Sequence, residues 1–219
     1  MGWGAAPEKG YDRAVDGPPN EPLDGLTARW LAAAKGGDAE GFARLYEHIA
    51  PALHTWAELR LRPEQRAVLE PGDLVQEVWF RAWRALPDFD PAATPFRYWV
   101  FRIAKNVLLE AARTAQRPER AGSGSSERLR ALEGLADTVT GVSRRLARDE
   151  GLAAFRAAVA ALEPDDQKLV LHCGLEGLPY REVGPRLGLS SDAVAKRWQR
   201  LRARLAETPG LQAEHLLGP

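Results

Sequence analysis

Apolar positions along this chain recur mostly at helical intervals, in two stretches separated by a polar break. In DLVQEVWFRAWRALPDFDPAATPFRYWVFRIAKNVLLEAAR (Asp73 to Arg113), Leu74, Val78 and Trp79 begin a stripe that Ala82, Trp83 and Leu86 continue, as on one helix face. FDPAATP then supplies a loop, with Pro91 and Pro95 as breakers. Trp99, Ile103 and Val107 stand at i, i+4 and i+8 and predict the buried side of the next helix, while Tyr98 and Phe101 stay unassigned. In GLPYREVGPRLGLSSDAVAKRWQRLRARL (Gly177 to Leu205), Pro179 suits a first helical turn, and Tyr180, Val183 and Leu187 give that helix one apolar face. Gly188 ends it and Ser190 caps the next helix, where Val194, Trp198, Leu201 and Leu205 line one side. Pro185 interrupts the first of the pair, which is therefore expected to be short or bent. Two helices on a tight glycine turn describe a helix-turn-helix.

The remaining segments set the organisation. Residues 1–23 carry Pro, Gly and scattered charge without periodicity and read as a disordered extension. The stretch from Leu26 to about Arg113 is almost continuously helix-like, giving a first domain over 24–113. TAQRPERAGSGSSER (Thr114 to Arg128) has linker composition and opens a linker over 114–148, weakly amphipathic through Leu146. A second domain follows over 149–208, and 209–219 reads as a frayed tail. The expected fold is all-α: two small helical domains joined by a flexible linker, the C-terminal one a helix-turn-helix.

Composition agrees. Ala, Leu, Arg and Glu dominate and β-branched runs are scarce, so helix is favoured over strand. Of 219 residues, 45% are apolar, enough to bury a core. One cysteine, Cys173, excludes an internal disulfide, and its LVLHC context reads as packing rather than redox chemistry. No apolar core of a signal peptide opens the chain, and no run reaches the roughly 18 residues a membrane span needs. A cytoplasmic protein without membrane contact of its own is expected. His48, His54, His172 and His215 lack ligand-like spacing, so neither a metal, a cofactor nor a catalytic set is expected.

Charge changes the picture more. The chain has formal net charge +0, yet Gly177 to Leu205 concentrates Arg181, Arg186, Lys196, Arg197, Arg200, Arg202 and Arg204 against Glu182 and Asp192 alone. Lys196, Arg197, Arg200 and Arg204 fall away from the apolar side, where a cationic helix can enter a major groove and meet phosphates or base edges. A merely solvated face is the competing reading. In the other stretch Phe96, Tyr98, Trp99 and Phe101 interleave with Arg97, Arg102 and Lys105, a combination that suits single-stranded nucleic acid because bases stack while phosphates pair. The competing reading is core packing. Upstream of that helix, Glu70, Asp73, Glu77, Asp88 and Asp90 outweigh Arg81 and Arg84, so the segment is locally acidic.

These residues carry a resemblance to the extracytoplasmic-function (ECF) sigma factors of bacteria. The family's first domain typically reads D-L-V-Q-E-V-F-x-R-A-W, a proline loop, then F-R-x-W-L-x-R-I-A-x-N. Here Asp73-Leu74-Val75-Gln76-Glu77-Val78, Arg81-Ala82-Trp83, Phe96-Arg97, Trp99, Arg102-Ile103-Ala104 and Asn106 match. In the second domain Leu162, Glu176-Gly177, Tyr180, Glu182-Val183, Leu187-Gly188, Ser190, Val194 and Arg197 match. The resemblance covers roughly 24–113 and 149–207. It implies a non-enzymatic protein that binds core RNA polymerase and directs it to promoter DNA, with an anti-sigma partner left open. On that implication Asp73, Gln76 and Glu77 dock on the polymerase. Phe89, Asp90, Thr94, Arg97, Arg102, Lys105 and Asn106 hold the melted downstream element. Arg181, Ser190, Ser191, Lys196, Arg197, Arg200 and Arg204 read the upstream element as duplex.

The chain also departs from the family. Ala193 and Ala195 replace the usual Thr and Lys, Gly184-Pro185 is unusual, and RLRPEQRAVLEPG before Asp73 is longer than usual. A helix-turn-helix regulator that binds duplex DNA without joining the polymerase is the alternative. It accounts for the C-terminal domain but leaves Asp73 to Asn106 without a role. Two local alternatives stand as well: Asp73 as a simple helix cap, and the proline loop as a simple connector.

Overall fold

The computed structural model describes residues 25–116, 141–142, 145–208 and 213–217. Among these no strand occurs, so the fold is all-α. The expected disorder of 1–23 and most of the expected linker lie outside the described residues. The first unit contains α1 (Gly25–Lys35), α2 (Ala39–Arg60), the single turn α3 (Pro63–Arg66), α4 (Pro71–Ala85) and α5 (Phe96–Ala115). The second contains α6 (Glu150–Ala160), α7 (Pro164–Leu169), a π-helical continuation over Val170–Leu175, α8 (Tyr180–Leu187), α9 (Ser191–Ala206) and α10 (Ala213–Leu217).

Local chemistry starts these helices where the sequence marks them. Asp38 Oδ1 accepts from the Glu40 amide at 3.0 Å to open α2, and Asp149 Oδ1 accepts from the Leu152 amide at 3.0 Å to open α6. Pro71 and Pro164 occupy first-turn positions of α4 and α7, where a missing N–H leaves nothing unpaired. Because Pro71 begins α4, its N-cap is Glu70 and Asp73 lies inside the first turn. The reading of Asp73 as a simple cap is thereby set aside.

In the first unit α2, α4 and α5 close around edge-to-face aromatics. Trp79 meets Phe42 at 5.3 Å and Tyr46 at 5.1 Å between ring centroids, and Trp56 meets Phe101 at 5.8 Å. The stripe expected on α4 is buried at Leu74, Val78, Trp79, Ala82 and Leu86, with Trp83 packed at its edge. On α5 the buried face is shifted from expectation. Phe96, Val100, Phe101, Ala104, Val107, Leu108 and Ala111 are buried, whereas Trp99 and Ile103 are only partly covered. Phe101 belongs to the core because α2 supplies Trp56 opposite it, a contact no local period reveals.

Three further differences concern the boundaries. α5 runs on to Ala115, so the first residues assigned to the linker are helical. Val142 and Leu146, in the same expected linker, are buried in the common core. The tail is not frayed over Ala213–Leu217, because Ala213, Leu216 and Leu217 are buried and give a short helix an apolar side. The two units also touch: α2 packs against α6, the π-helical segment and α10.

Candidate nucleic-acid interface

The helix-turn-helix forms as its residues require. Gly188 closes α8 in the left-handed conformation at φ 67°, and Ser190 Oγ accepts from the Ala193 amide at 3.3 Å to cap α9. Val194, Trp198, Leu201 and Leu205 are all buried beneath α9, as their spacing predicts. Gly184 has a steric reason to be glycine, since a Cβ there would lie 2.5 Å from the Leu189 carbonyl oxygen. α8 runs through Pro185 and is short, at 8 residues.

The outer face of α9 divides into two electrostatic situations. Lys196 and Arg200 are exposed, with Arg200 Nε donating to the Lys196 carbonyl at 3.2 Å. Arg197 is held by Asp166 of α7, Nε to Oδ1 at 2.7 Å, and Arg204 reaches the other carboxylate oxygen at 3.5 Å. Asp166 thus pairs with two of the predicted DNA contacts, Arg197 closely and Arg204 at longer range. Ser191 and Arg181 are half-buried at the starts of α9 and α8.

The proline loop is built on Phe89. That ring is buried between Phe96 at 5.7 Å and Trp99 at 4.6 Å, and Lys35 Nζ donates to the Phe89 carbonyl at 2.6 Å. Phe89 therefore anchors the loop rather than facing out of it. Asp90 is exposed and turns the chain, its Oδ1 accepting from the Ala92 amide at 2.8 Å, and the Thr94 amide closes back on the Asp90 carbonyl at 3.2 Å. Beyond the loop, Arg102 and Asn106 are exposed on α5.

Arg97 and Lys105, also on α5, point instead at the second unit. Arg97 donates from Nε to the Leu175 carbonyl at 2.8 Å and from Nη2 to the Leu216 carbonyl. Lys105 Nζ sits 2.8 Å from Glu176 Oε2. Glu176 is fully buried, at 0% exposure, and also accepts from Trp56 Nε1 at 2.8 Å and meets His172 Nδ1 at 3.0 Å. Burial opposes its charge, but the His172 hydrogen bond and the Lys105 ammonium outweigh burial and hold the carboxyl at about 2. Sequence reasoning noticed Glu176 only beside Gly177 in a motif and missed Trp56, His172 and Asp166. Lys105 and Trp56, 71 and 120 positions away, leave no local pattern, whereas His172 four positions before Glu176 is the one signal the spacing carries.

On α4, Asp73 is exposed and Gln76 is half-buried. Glu77 is held by Arg81 at 2.7 Å, and Arg81 reaches on to Glu110 of α5 at 2.6 Å, so Glu77 is part of a clasp between two helices. Cys173 is buried, and burial followed by the nearby Glu176 charge pushes its thiol up to about 12, which agrees with a packing role.

An acidic-entered helix, an anchored proline loop, a basic helix and a helix-turn-helix therefore follow in fixed order, and the family described as ECF sigma factor matches residues 26–209 of the chain. The chain belongs to the ECF sigma factor family. The RNA polymerase sigma factor CnrH of Cupriavidus metallidurans is 32% identical over 182 residues, covering 81% of this chain and 92% of that relative. The RNA polymerase sigma factor NccH of Alcaligenes xylosoxydans xylosoxydans is 30% identical over 170 residues, covering 77% and 87%. Among solved structures, CnrH in complex with the cytosolic domain of CnrY is 24% identical and covers 83% of this chain and 95% of that one, with a TM-score of 0.40. The ECF match takes in every candidate interface residue, from Asp73 to Arg204. Among the described residues no helix is long and apolar enough to cross a membrane.

Proposed function

We propose that this ECF sigma factor binds core RNA polymerase through the exposed start of α4, holds the melted downstream promoter element on the proline loop and α5, and reads the upstream element as duplex with α9. It works in the cytoplasm by binding, with no catalytic step of its own. The observation that carries this reading is the family match across residues 26–209, a span that includes α4, the proline loop, α5 and α9. On α4, Asp73 and Gln76 carry the polymerase contact, and Glu77 sets their helix through the Arg81–Glu110 clasp. On the loop, Asp90 and Thr94 rim a pocket for one base turned out of the non-template strand. Phe89 anchors that loop from within the core, and Arg102, Lys105, Asn106 and Arg97 serve the neighbouring backbone. Turning a base out costs a few kcal/mol, which stacking and hydrogen bonds in such a pocket must offset. On α9, Lys196 and Arg200 meet phosphates, while Asp166 orients Arg197 toward the groove.

Run-off transcription with core polymerase on genomic fragments tests the reading. Transcripts that start at discrete sites only when this protein is added support it. Duplex binding without co-purification with core polymerase favours the regulator alternative.

A further inference from the structure

Two cations of the downstream-element surface just described, Arg97 and Lys105, are already engaged within the chain, while Asp90, Arg102 and Asn106 stay exposed. Arg97 gives two hydrogen bonds to carbonyls of the second unit, Leu175 and Leu216, and Lys105 neutralises the buried Glu176 carboxylate. Glu176 therefore takes up, in effect, the place of a strand phosphate: an oxyanion held by a lysine ammonium and an indole N–H. Tyr98, one helical turn before Arg102, is half-buried, and its phenol is pushed up first by burial and then by the Glu182 carboxylate of α8. α10 completes the cover. Leu217 lies so close to Gly174 that a Cβ there would come within 2.5 Å of its Cδ2, and Leu216 supplies the carbonyl that takes Arg97.

We propose that the free chain closes on itself, with the second unit and the terminal helix α10 engaging Arg97 and Lys105 of the α5 surface that grips the melted strand, so that promoter engagement requires the two units to part. This rests on the sigma-factor reading of Arg97 and Lys105. The closure is separable for a physical reason. Its centre is a single ion pair between the buried Glu176 carboxylate and the partly exposed Lys105 ammonium, and both groups regain hydration on opening. The exchange is symmetrical, because strand phosphates replace Glu176 and the carbonyls as partners of the same cations. Closure and strand binding therefore exclude each other.

Two variants test the closure: the chain ended after Thr208, which removes α10, and Glu176→Gln, which keeps an acceptor for Trp56 but frees Lys105. Three properties are compared with the parent at matched salt. They are the radius of gyration by solution X-ray scattering, helical content by circular dichroism, and affinity for a fluorescent single-stranded DNA 20-mer of mixed sequence. Both variants should be larger than the parent at unchanged helicity and bind the oligonucleotide at least about tenfold more tightly, as an open population of about one tenth or less in the parent requires. Should Glu176→Gln lose helicity, the shortened chain decides. A parent already as extended as the variants overturns the proposal, and so does opening without a gain in affinity. Opening with the gain, in a protein that never supports run-off transcription, leaves the closure standing and removes the sigma-factor reading.

Discussion

Gly184→Ala sets two effects of opposite sign against each other inside the helix-turn-helix. Alanine is the better helix former, worth up to about 1 kcal/mol in a helix interior. Against that, its Cβ would lie 2.5 Å from the Leu189 carbonyl oxygen, and this obstacle is backbone, not a flexible side-chain end. Relief requires the turn from Gly188 to Ser190 to move away from α8. That turn donates the Leu189 amide to the Gly184 carbonyl at 3.0 Å and sets Ser190 Oγ 3.3 Å from the Ala193 amide. Weakening the first costs about 1 kcal/mol and losing the cap costs about another. The clash should win, leaving a net loss of roughly 1–2 kcal/mol by urea denaturation followed through tryptophan fluorescence. Gly188→Ala is the comparison. Nothing stands within 4 Å of a Cβ there, so only the left-handed backbone at φ 67° opposes it, at roughly 1–2 kcal/mol. The two losses are similar in size, and duplex binding separates them. Gly184→Ala re-aims α9 and should weaken binding beyond its cost in stability, whereas Gly188→Ala leaves the α8–α9 contact free of any new clash. A Gly184→Ala protein as stable as the parent, or more so, would refute the steric reasoning.

The Glu176 carboxyl is depressed to about 2 in the folded chain against an ordinary 4.5, so its stabilisation is fully present above about 4.5 and fades as pH falls toward 2. Relative to Glu176→Gln, the parent should be more stable by about 3 kcal/mol at pH 7, a gap that narrows steadily below pH 4.5 in denaturation curves; a gap independent of pH contradicts the assignment. Lys196→Ala and Arg200→Ala should each lower the salt slope of duplex binding by about 1, and Arg197→Ala by less because Asp166 already neutralises it; unchanged slopes would move the recognition face elsewhere. Asp73→Lys should weaken core polymerase binding while costing only about 0.3–1 kcal/mol at the α4 N-terminus, and equal binding by pull-down titration removes α4 from the contact. Replacing Asp90 to Thr94 with a Gly/Ser segment while keeping Phe89 should reduce discrimination at a single downstream base on a pre-melted promoter. Unaltered preference there leaves the loop as a connector.

How much was legible from the chain alone depended on whether a signal was local. Helix existence, the Gly188 turn, the Ser190 cap and the buried line Val194–Trp198–Leu201–Leu205 follow from φ preferences, capping and the 3.6-residue period, all of which act within a few positions. The family was legible for the same reason, since its motifs are runs of neighbours. Even so, the buried face of α5 was shifted, because Trp99, Ile103 and Phe101 are each apolar and only the placement of α2 and the loop decides which is covered.

The sequence by itself therefore determined an all-α chain, its helix-turn-helix and two cationic surfaces, all written in spacing and composition. Only the tertiary structure decided what those cations face. Arg197 meets Asp166, Arg97 meets the carbonyls of Leu175 and Leu216, and Lys105 meets a carboxylate with no solvent around it. Electrostatic partners are chosen by distance and desolvation in three dimensions, and positions 71 to 119 apart come within 3 Å only after the core has closed. The docking of Ala213–Leu217 has the same origin: five residues hold no helix in water, and this segment is ordered by the apolar surface it covers at Gly174 and Trp198.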